Sequence, residues 1–84
     1  MNDLKEFLIK SADLIFNIKA KDAKVSDFGY VSFLDEETNQ WEKFADYRVY
    51  LDNVRIESQS IDNEDYQEIY KQATKHYNDL LNGD

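Results

Sequence analysis

The chain has 84 residues, with 18 Asp and Glu residues against 10 Lys and Arg residues, and its formal net charge is −8. Apolar residues make up 42% of the chain and aromatic residues 14%, which is enough for a hydrophobic core and argues against a disordered acidic tail. Because the chain has no cysteine, disulfides, thiolate zinc sites and cysteine nucleophiles are excluded. We expect a single small acidic domain over residues 1–84.

Hydropathy and charge restrict the expected location and partners. No apolar run approaches the roughly 18 residues of a membrane-spanning helix, and the first residues lack the basic start of a signal peptide, so we expect a cytoplasmic protein. Nucleic acids and anionic membranes bind basic surfaces, so an acidic chain is not expected to bind either of them directly. A basic protein surface is the expected partner.

The acidic residues are concentrated in one part of the chain. Residues 1–24 have a net charge of +1, whereas residues 25–84 have a net charge of −9. The densest acidic segments are Asp35–Glu37 and Asp62–Asp65. A surface that binds a basic partner is therefore expected in the middle and C-terminal parts of the chain.

The first predicted element is a helix from about Asp3 to about Asn17, because apolar residues recur there at helical spacing. Asn2 or Asp3 is suited to cap its start. An alternative interpretation places the start of a strand at the end of this segment, where polar residues separate the apolar residues Phe16, Ile18 and Ala20.

Two residues make the apolar face of this helix broader than packing on a small sheet requires. They are Ile9 and Phe16, which lie seven residues apart on one flank of that face. They are either additional core residues or the seam of a homodimer.

From Phe28 to Ser58 the apolar period changes to two, and aromatic and β-branched residues become frequent, which predicts an antiparallel meander. The polar segment Asp35–Asn39 is expected to be a hairpin loop, and Asp52–Asn53 a two-residue turn. The predicted strands are Tyr30–Leu34, Trp41–Phe44, Tyr47–Leu51 and Val54–Ser58.

The predicted turn at Asp52–Asn53 sets a register for the last hairpin. On the core face, it places Leu51 opposite Val54 and Val49 opposite Ile56. On the outer face, it pairs Arg48 with Glu57 and Arg55 with Tyr50.

The last predicted element is a helix that Ser60 or Asp62 caps and that Asn82–Gly83 ends. Its apolar stripe consists of Tyr66, Ile69, Tyr70, Ala73, Tyr77, Leu80 and Leu81. The predicted fold class is α+β, with an N-terminal helix, a three- to four-stranded antiparallel meander and a C-terminal helix. We expect both helices to pack on one face of the sheet.

The order of a helix, three strands and a helix resembles the double-stranded-RNA-binding domain in outline. That family uses lysines at the start of its last helix to hold phosphates, whereas the matching positions here are Asp62, Glu64 and Asp65. The resemblance is therefore limited to the order of the elements, and RNA binding is not expected.

Candidate catalytic and metal-binding residues are few. His76 is the only histidine and lies at the edge of the apolar stripe of the last helix, which favours a structural role. The segment that starts at Asp62 begins like a calcium loop, but it has Gln67 where the loop needs glycine and Ala73 where it needs a bidentate glutamate. We expect no enzymatic activity, no metal site and no cofactor.

Exposed carboxylates are the main candidate for a binding surface. A row of carboxylates on a strand or helix imitates the phosphates of a nucleic acid, and a partner that binds nucleic acid would meet it with Arg and Lys. Trp41 is the expected aromatic anchor, because Trp is frequent at interface hot spots. The predicted partner-binding residues are Asp35, Glu36, Glu37, Trp41, Glu42, Asp46, Asp65, Glu68 and Asp79.

In size, charge and lack of catalytic motifs, the chain resembles the small acidic inhibitors of phages and mobile elements, such as anti-CRISPR, anti-restriction and glycosylase-inhibitor proteins. The resemblance implies an inhibitor that occupies the basic groove of a nucleic-acid-handling enzyme. One alternative is a non-catalytic structural or regulatory dimerisation domain of a bacterial cytosolic protein, with Ile9 and Phe16 in its seam. Another is that the acidic residues only keep a small protein soluble.

Overall fold

The computed structural model of the chain describes residues 3–83. It has an N-terminal helix, one three-stranded antiparallel sheet and two C-terminal helices, which confirms the α+β class. The elements are α1 (Asp3–Phe16), β1 (Ala20–Val25), β2 (Tyr30–Asp35), β3 (Trp41–Asp46), α2 (Tyr47–Gln59) and α3 (Glu64–Leu81).

Helix α1 occupies the predicted segment and ends at Phe16. Asn17 has a φ of 57°, in the left-handed region that Asn tolerates better than most residues, and it ends the helix. The backbone N–H of Ile18 donates to the carbonyl of Ala12 at 3.0 Å, which closes the last turn. The predicted cap Asn2 lies outside the described residues, and Asp3 is already helical.

Strand β1 begins at Ala20, so the strand of the alternative interpretation is real but starts later than Phe16. Apart from Val25, its residues are Ala, Lys and Asp, which have low β-propensity. A register shift between Ala20 and Asp22 also breaks the alternation, so that Ala20 and Ala23 are both buried. This strand lacks the periodic signal that identifies β2.

Strand β2 lies in the middle of the sheet and was predicted almost to its ends. Val31 and Phe33 are buried on the face that the helices cover. Strand β3 also follows the prediction, with a bulge: Ala45 pairs with Val31 and Lys43 with Ser32, which leaves Phe44 as the extra residue.

The hairpin predicted at Tyr47–Leu51 and Val54–Ser58 is wrong, because both segments belong to the single helix α2. The alternation of apolar residues that predicted two strands is short, and the same residues also recur at helical spacing. In the helix the buried residues are Tyr50, Leu51, Val54 and Ser58.

The register expected across that hairpin is wrong for the same reason. Val49 and Ile56, which it placed in the core, are 51% and 63% exposed. Arg55 does not pair with Tyr50 but forms an ion pair with Asp52 at 3.1 Å. Its guanidinium also lies over the ring of Tyr77, 4.7 Å from the centroid, and joins α2 to α3.

Helix α3 has the predicted helical stripe except at Leu81, which is 55% exposed, and its cap is neither Ser60 nor Asp62. The side chain of Asn63 accepts a hydrogen bond from the backbone N–H of Asp65 at 2.8 Å and caps the helix. At the other end Gly83 has a φ of 79°, as the predicted stop requires.

The helices all lie on one side of the sheet. Helix α1 packs on β1, α2 packs on β2 and β3, and α3 packs on α1 and α2. The fully buried side chains include Phe7 and Leu8 of α1, Val31 of the sheet, and residues of α2 and α3. The other face of the sheet is left open to solvent.

Candidate functional site

The loop between β2 and β3 holds the predicted acidic turn in a defined shape. One carboxylate oxygen of Asp35 accepts the backbone N–H groups of Glu37 at 2.8 Å and Thr38 at 2.9 Å. These hydrogen bonds, with Thr38 contributing most, lower the pKa of Asp35 below its ordinary value. Asp35 therefore acts as the structural residue of the turn, while Glu36 and Glu37 are exposed.

Hydrogen bonds place this turn and the start of α3 at the same end of the molecule. The backbone N–H of Glu36 donates to the carbonyl of Lys19 at 3.2 Å, next to the end of α1. The hydroxyl of Tyr66, in the first turn of α3, donates to the carbonyl of Leu14 at 3.0 Å, also near the end of α1. We use "acidic end" for the predicted residues found here, which are Asp35, Glu36, Glu37, Glu42, Asp65 and Glu68.

Two of the predicted carboxylates lie at the opposite end. Asp46 is the last residue of β3, where it pairs with Tyr30, and it caps α2 by accepting the backbone N–H groups of Arg48 at 2.9 Å and Val49 at 3.3 Å. Asp79 lies near Tyr47, where burial first and the Asp79 carboxylate second raise the pKa of the phenol. The predicted surface is thus divided between two ends of the molecule.

The carboxylates of the acidic end form no ion pair within residues 3–83, although Glu68 accepts a hydrogen bond from the side-chain amide of Gln72 at 3.1 Å. Within residues 3–83, the ion pairs engage Asp13, Asp22 and Asp52, which are not among the predicted partner-binding residues. Lys19, whose carbonyl accepts the backbone N–H of Glu36, forms its ion pair with Asp13. The negative charge of Glu36 and Glu37 is therefore not neutralised by an ion pair within this part of the chain.

A groove of about 310 Å³ opens beside the acidic turn, between β3 and the segment that joins α1 to β1. Phe33, Phe44 and Ile18 supply apolar surface, and Glu37 and Glu42 supply carboxylates. We call it the tip groove, and its lining residues are Asn17, Ile18, Lys19, Phe33, Asp35, Glu37, Glu42, Lys43 and Phe44.

The predicted anchor Trp41 does not contribute to this groove. It pairs with Leu34 on the open face of the sheet, where it is 42% exposed, and the ammonium of Lys24 lies 4.3 Å from its ring centroid. On the same face, Lys43 lies 4.4 Å from the ring centroid of Tyr30. The sheet therefore separates an aromatic and basic face from the groove on its other side.

Ile9 and Phe16 have partners within the chain. Both are partly buried and pack against the core. The ring centroid of Phe16 lies 5.1 Å from that of Phe44 and 5.5 Å from that of Tyr50. The breadth of the α1 face is explained by these contacts, and the dimer seam stays a prediction.

His76 lies at the edge of the α3 stripe, as predicted, with its ring centroid 5.0 Å from that of Phe7. Burial is the main cause that lowers its pKa below the ordinary value. Among residues 3–83, no three His, Asp or Glu side chains are grouped as metal ligands would be.

The sequence did not predict the tip groove. Its apolar floor is formed where Phe44 of β3 meets Phe33 of β2 on the covered face, with the two ring centroids 5.8 Å apart. The sequence did contain one signal for its floor. Trp41 and Phe44 are separated by an odd number of positions, so the alternation of side chains along a strand places them on opposite faces.

Comparison with protein-family models, with curated proteins and with solved structures finds no match for this chain. Over residues 3–83, none of the helices is long and apolar enough to cross a membrane.

Proposed function

We propose that this chain is a non-catalytic protein-binding inhibitor of an enzyme that acts on nucleic acid. Its acidic end occupies the basic groove in which that enzyme holds the phosphate backbone. By the resemblance in size and charge, the chain is an anti-CRISPR or anti-restriction type of protein, encoded by a phage or mobile element and active in the host cytoplasm. It binds neither nucleic acid nor a membrane directly.

The observation that carries the proposal is the fixed acidic turn. Glu36 and Glu37 are exposed and lack an ion pair within residues 3–83, while Asp35 holds the backbone beneath them through two hydrogen bonds. A carboxylate on an ordered turn loses less conformational freedom on binding than one on a flexible tail.

Charge complementarity then sets the kind of association. A negative surface that meets a basic groove associates fast, and salt slows the encounter because ions screen the attraction over a Debye length of about 8 Å at physiological salt. The inhibitor and the nucleic acid compete for the same groove.

The test uses the purified chain to capture enzymes from a bacterial lysate, followed by competition with double-stranded DNA on each captured enzyme. We expect at least one captured nucleic-acid enzyme to release the chain when DNA is added, and its activity to fall when the chain is in excess. We expect binding to weaken steeply as salt is raised from about 50 to about 200 mM.

Two double variants with equal net charge locate the surface. Glu36→Gln with Glu37→Gln removes two charges from the acidic end. Asp27→Asn, in the turn between β1 and β2, with Asp79→Asn removes two charges from the opposite end. The first pair is expected to weaken binding at least about tenfold, since the charged interface contacts contribute about 1.4 kcal/mol or more together, and the second less than about threefold. Equal effects of the two pairs, or capture that DNA does not disturb, would contradict the proposal.

A further inference from the structure

The tip groove combines features that a row of surface carboxylates lacks. Its floor is aromatic: Phe33 is 4% exposed, whereas Phe44 is 42% exposed and offers solvent an accessible ring. Phe44 is held in place by Phe16 and Phe33, whose ring centroids lie 5.1 and 5.8 Å from its own. The groove therefore has a fixed apolar surface on which a side chain of the partner can pack.

The charged groups around this floor that form no ion pair within residues 3–83 include two carboxylates. Glu37 and Glu42 both line the groove and form no ion pair within residues 3–83. Two lysines also line it, but the ammonium of Lys19 pairs with Asp13, and the ammonium of Lys43 lies over Tyr30 on the open face of the sheet. In the part of the chain that the structure describes, neither lysine forms an ion pair with Glu37 or Glu42.

We propose that the tip groove binds the side chain of one arginine of the basic partner. The guanidinium stacks on the ring of Phe44 and donates hydrogen bonds to the carboxylates of Glu37 and Glu42, and the methylene groups cover the apolar floor. The inference rests on the proposed function, because it names the side chain by which the acidic end recognises its partner.

Arginine fits these features better than lysine does. Its guanidinium is planar, stacks on aromatic rings and presents donors in a fork that matches carboxylates, and it is more weakly hydrated than an ammonium. The volume of the groove, about 310 Å³, lies at the lower end of the range for ligand pockets, about 300–1,000 Å³, which suits one long side chain.

The probe for this test is argininamide, titrated into the whole chain labelled with ¹⁵N, and lysinamide is the comparison. We expect argininamide to shift the amide signals of Ile18, Phe33 and Phe44 in a saturable way, with an affinity about threefold or more above that of lysinamide. Shifts that are spread over the acidic surface without saturation, or equal affinities for the two amides, would overturn the inference.

Matched variants separate the groove from general acidity. Glu42→Gln with Glu37→Gln removes the two groove carboxylates, and we expect the argininamide affinity to fall about fivefold or more. Glu36→Gln with Glu68→Gln removes two charges from the acidic end outside the groove, and its effect is expected to stay below about twofold. All four side chains are exposed, so the dispersion of the amide signals confirms that each variant is folded.

The outcomes distinguish this inference from the proposed function. If argininamide fails at the groove while a captured enzyme still competes with DNA, the arginine site is wrong and the inhibitor proposal stands. If argininamide binds at the groove but no captured enzyme competes with DNA, the inhibitor proposal is wrong and the guanidinium site stands.

Discussion

The two faces of the sheet carry similar residue types but place them in different surroundings. On the covered face, Phe33 and Phe44 pack against the ring of Tyr50, with centroids 6.1 and 5.9 Å from it. On the open face, Tyr30 contacts Lys43 of the neighbouring strand, Trp41 contacts Lys24 two strands away, and the two rings are 37% and 42% exposed. The same two strands supply both sets.

The difference shows how a chain of this size divides its aromatic residues. Small domains bury a limited fraction of their surface, so the covered rings contribute more to stability than the open rings do. The open rings contribute little to folding, and the lysines above them make this face less acidic than the rest of the molecule. The negative charge available to a partner is instead at the acidic end. There Phe33 and Phe44 of the covered face also line the tip groove.

The largest expected effect is on the covered face. Phe33→Ala removes a ring that is 4% exposed and is expected to lower the free energy of unfolding by about 3–5 kcal/mol, because it leaves a cavity among packed rings. Trp41→Ala on the open face is expected to cost only about 1 kcal/mol, most of it the contact with Lys24. Urea denaturation of both variants measures the difference, and equal losses would mean that the open face is part of the core.

A smaller effect is expected from single hydroxyl groups. The phenol of Tyr50 is hydrogen-bonded to the hydroxyl of Ser11 at 2.6 Å, and both residues are fully buried. Tyr50→Phe is expected to cost about 0.5–1.5 kcal/mol, and Ser11 retains its hydrogen bond to the carbonyl of Leu8.

Tyr30→Phe is the matched change on the open face. Its expected cost is below about 0.5 kcal/mol, because in the part of the chain from 3 to 83 the Tyr30 hydroxyl has no hydrogen-bond partner. If this change cost as much as Tyr50→Phe, the buried hydrogen bond would not be the reason for the loss in Tyr50→Phe.

The elements that the sequence predicted correctly have long or strong periodic patterns. Helices α1 and α3 each have an apolar stripe over several turns, and β2 alternates cleanly. Strand β1 has small and charged residues and a bulge, so neither its propensity nor its period indicated a strand. Helix α2 is short enough for both periods to fit, and Asp52–Asn53 gave the false turn.

The candidate site was predictable only in part. The acidic turn follows from local sequence, because Asp35 forms its hydrogen bonds within three residues. The tip groove is formed by the segment after α1, the acidic turn and the bulged strand β3. These segments are distant in sequence, so no local pattern predicts that they are close in space. The separation of Asp46 and Asp79 from the acidic end likewise depends on the direction in which α2 and α3 run.

The smallest expected effect concerns His76, on the helical side of the molecule. Burial lowers its pKa in the folded chain, with Lys75 acting in the same direction and the carboxylates of Asp79 and Asp3 opposing it. The unfolded chain therefore binds more protons as the pH falls below about 6.5, the ordinary pKa of histidine. The neutral imidazole makes its full contribution to stability above that pH. The contribution is lost as the pH falls from about 6.5 towards the lowered pKa of the folded chain.

Comparison with His76→Gln isolates this effect from the titration of the carboxylates. We expect the wild-type chain to lose stability relative to His76→Gln as the pH is lowered from about 7 to about 5, measured by urea denaturation at each pH. A constant difference over this range would mean that the imidazole is equally hydrated in both states. The packing of His76 on Phe7 would then be a surface contact. Water would reach α3 at His76 more easily than it reaches the covered face of the sheet at Phe33.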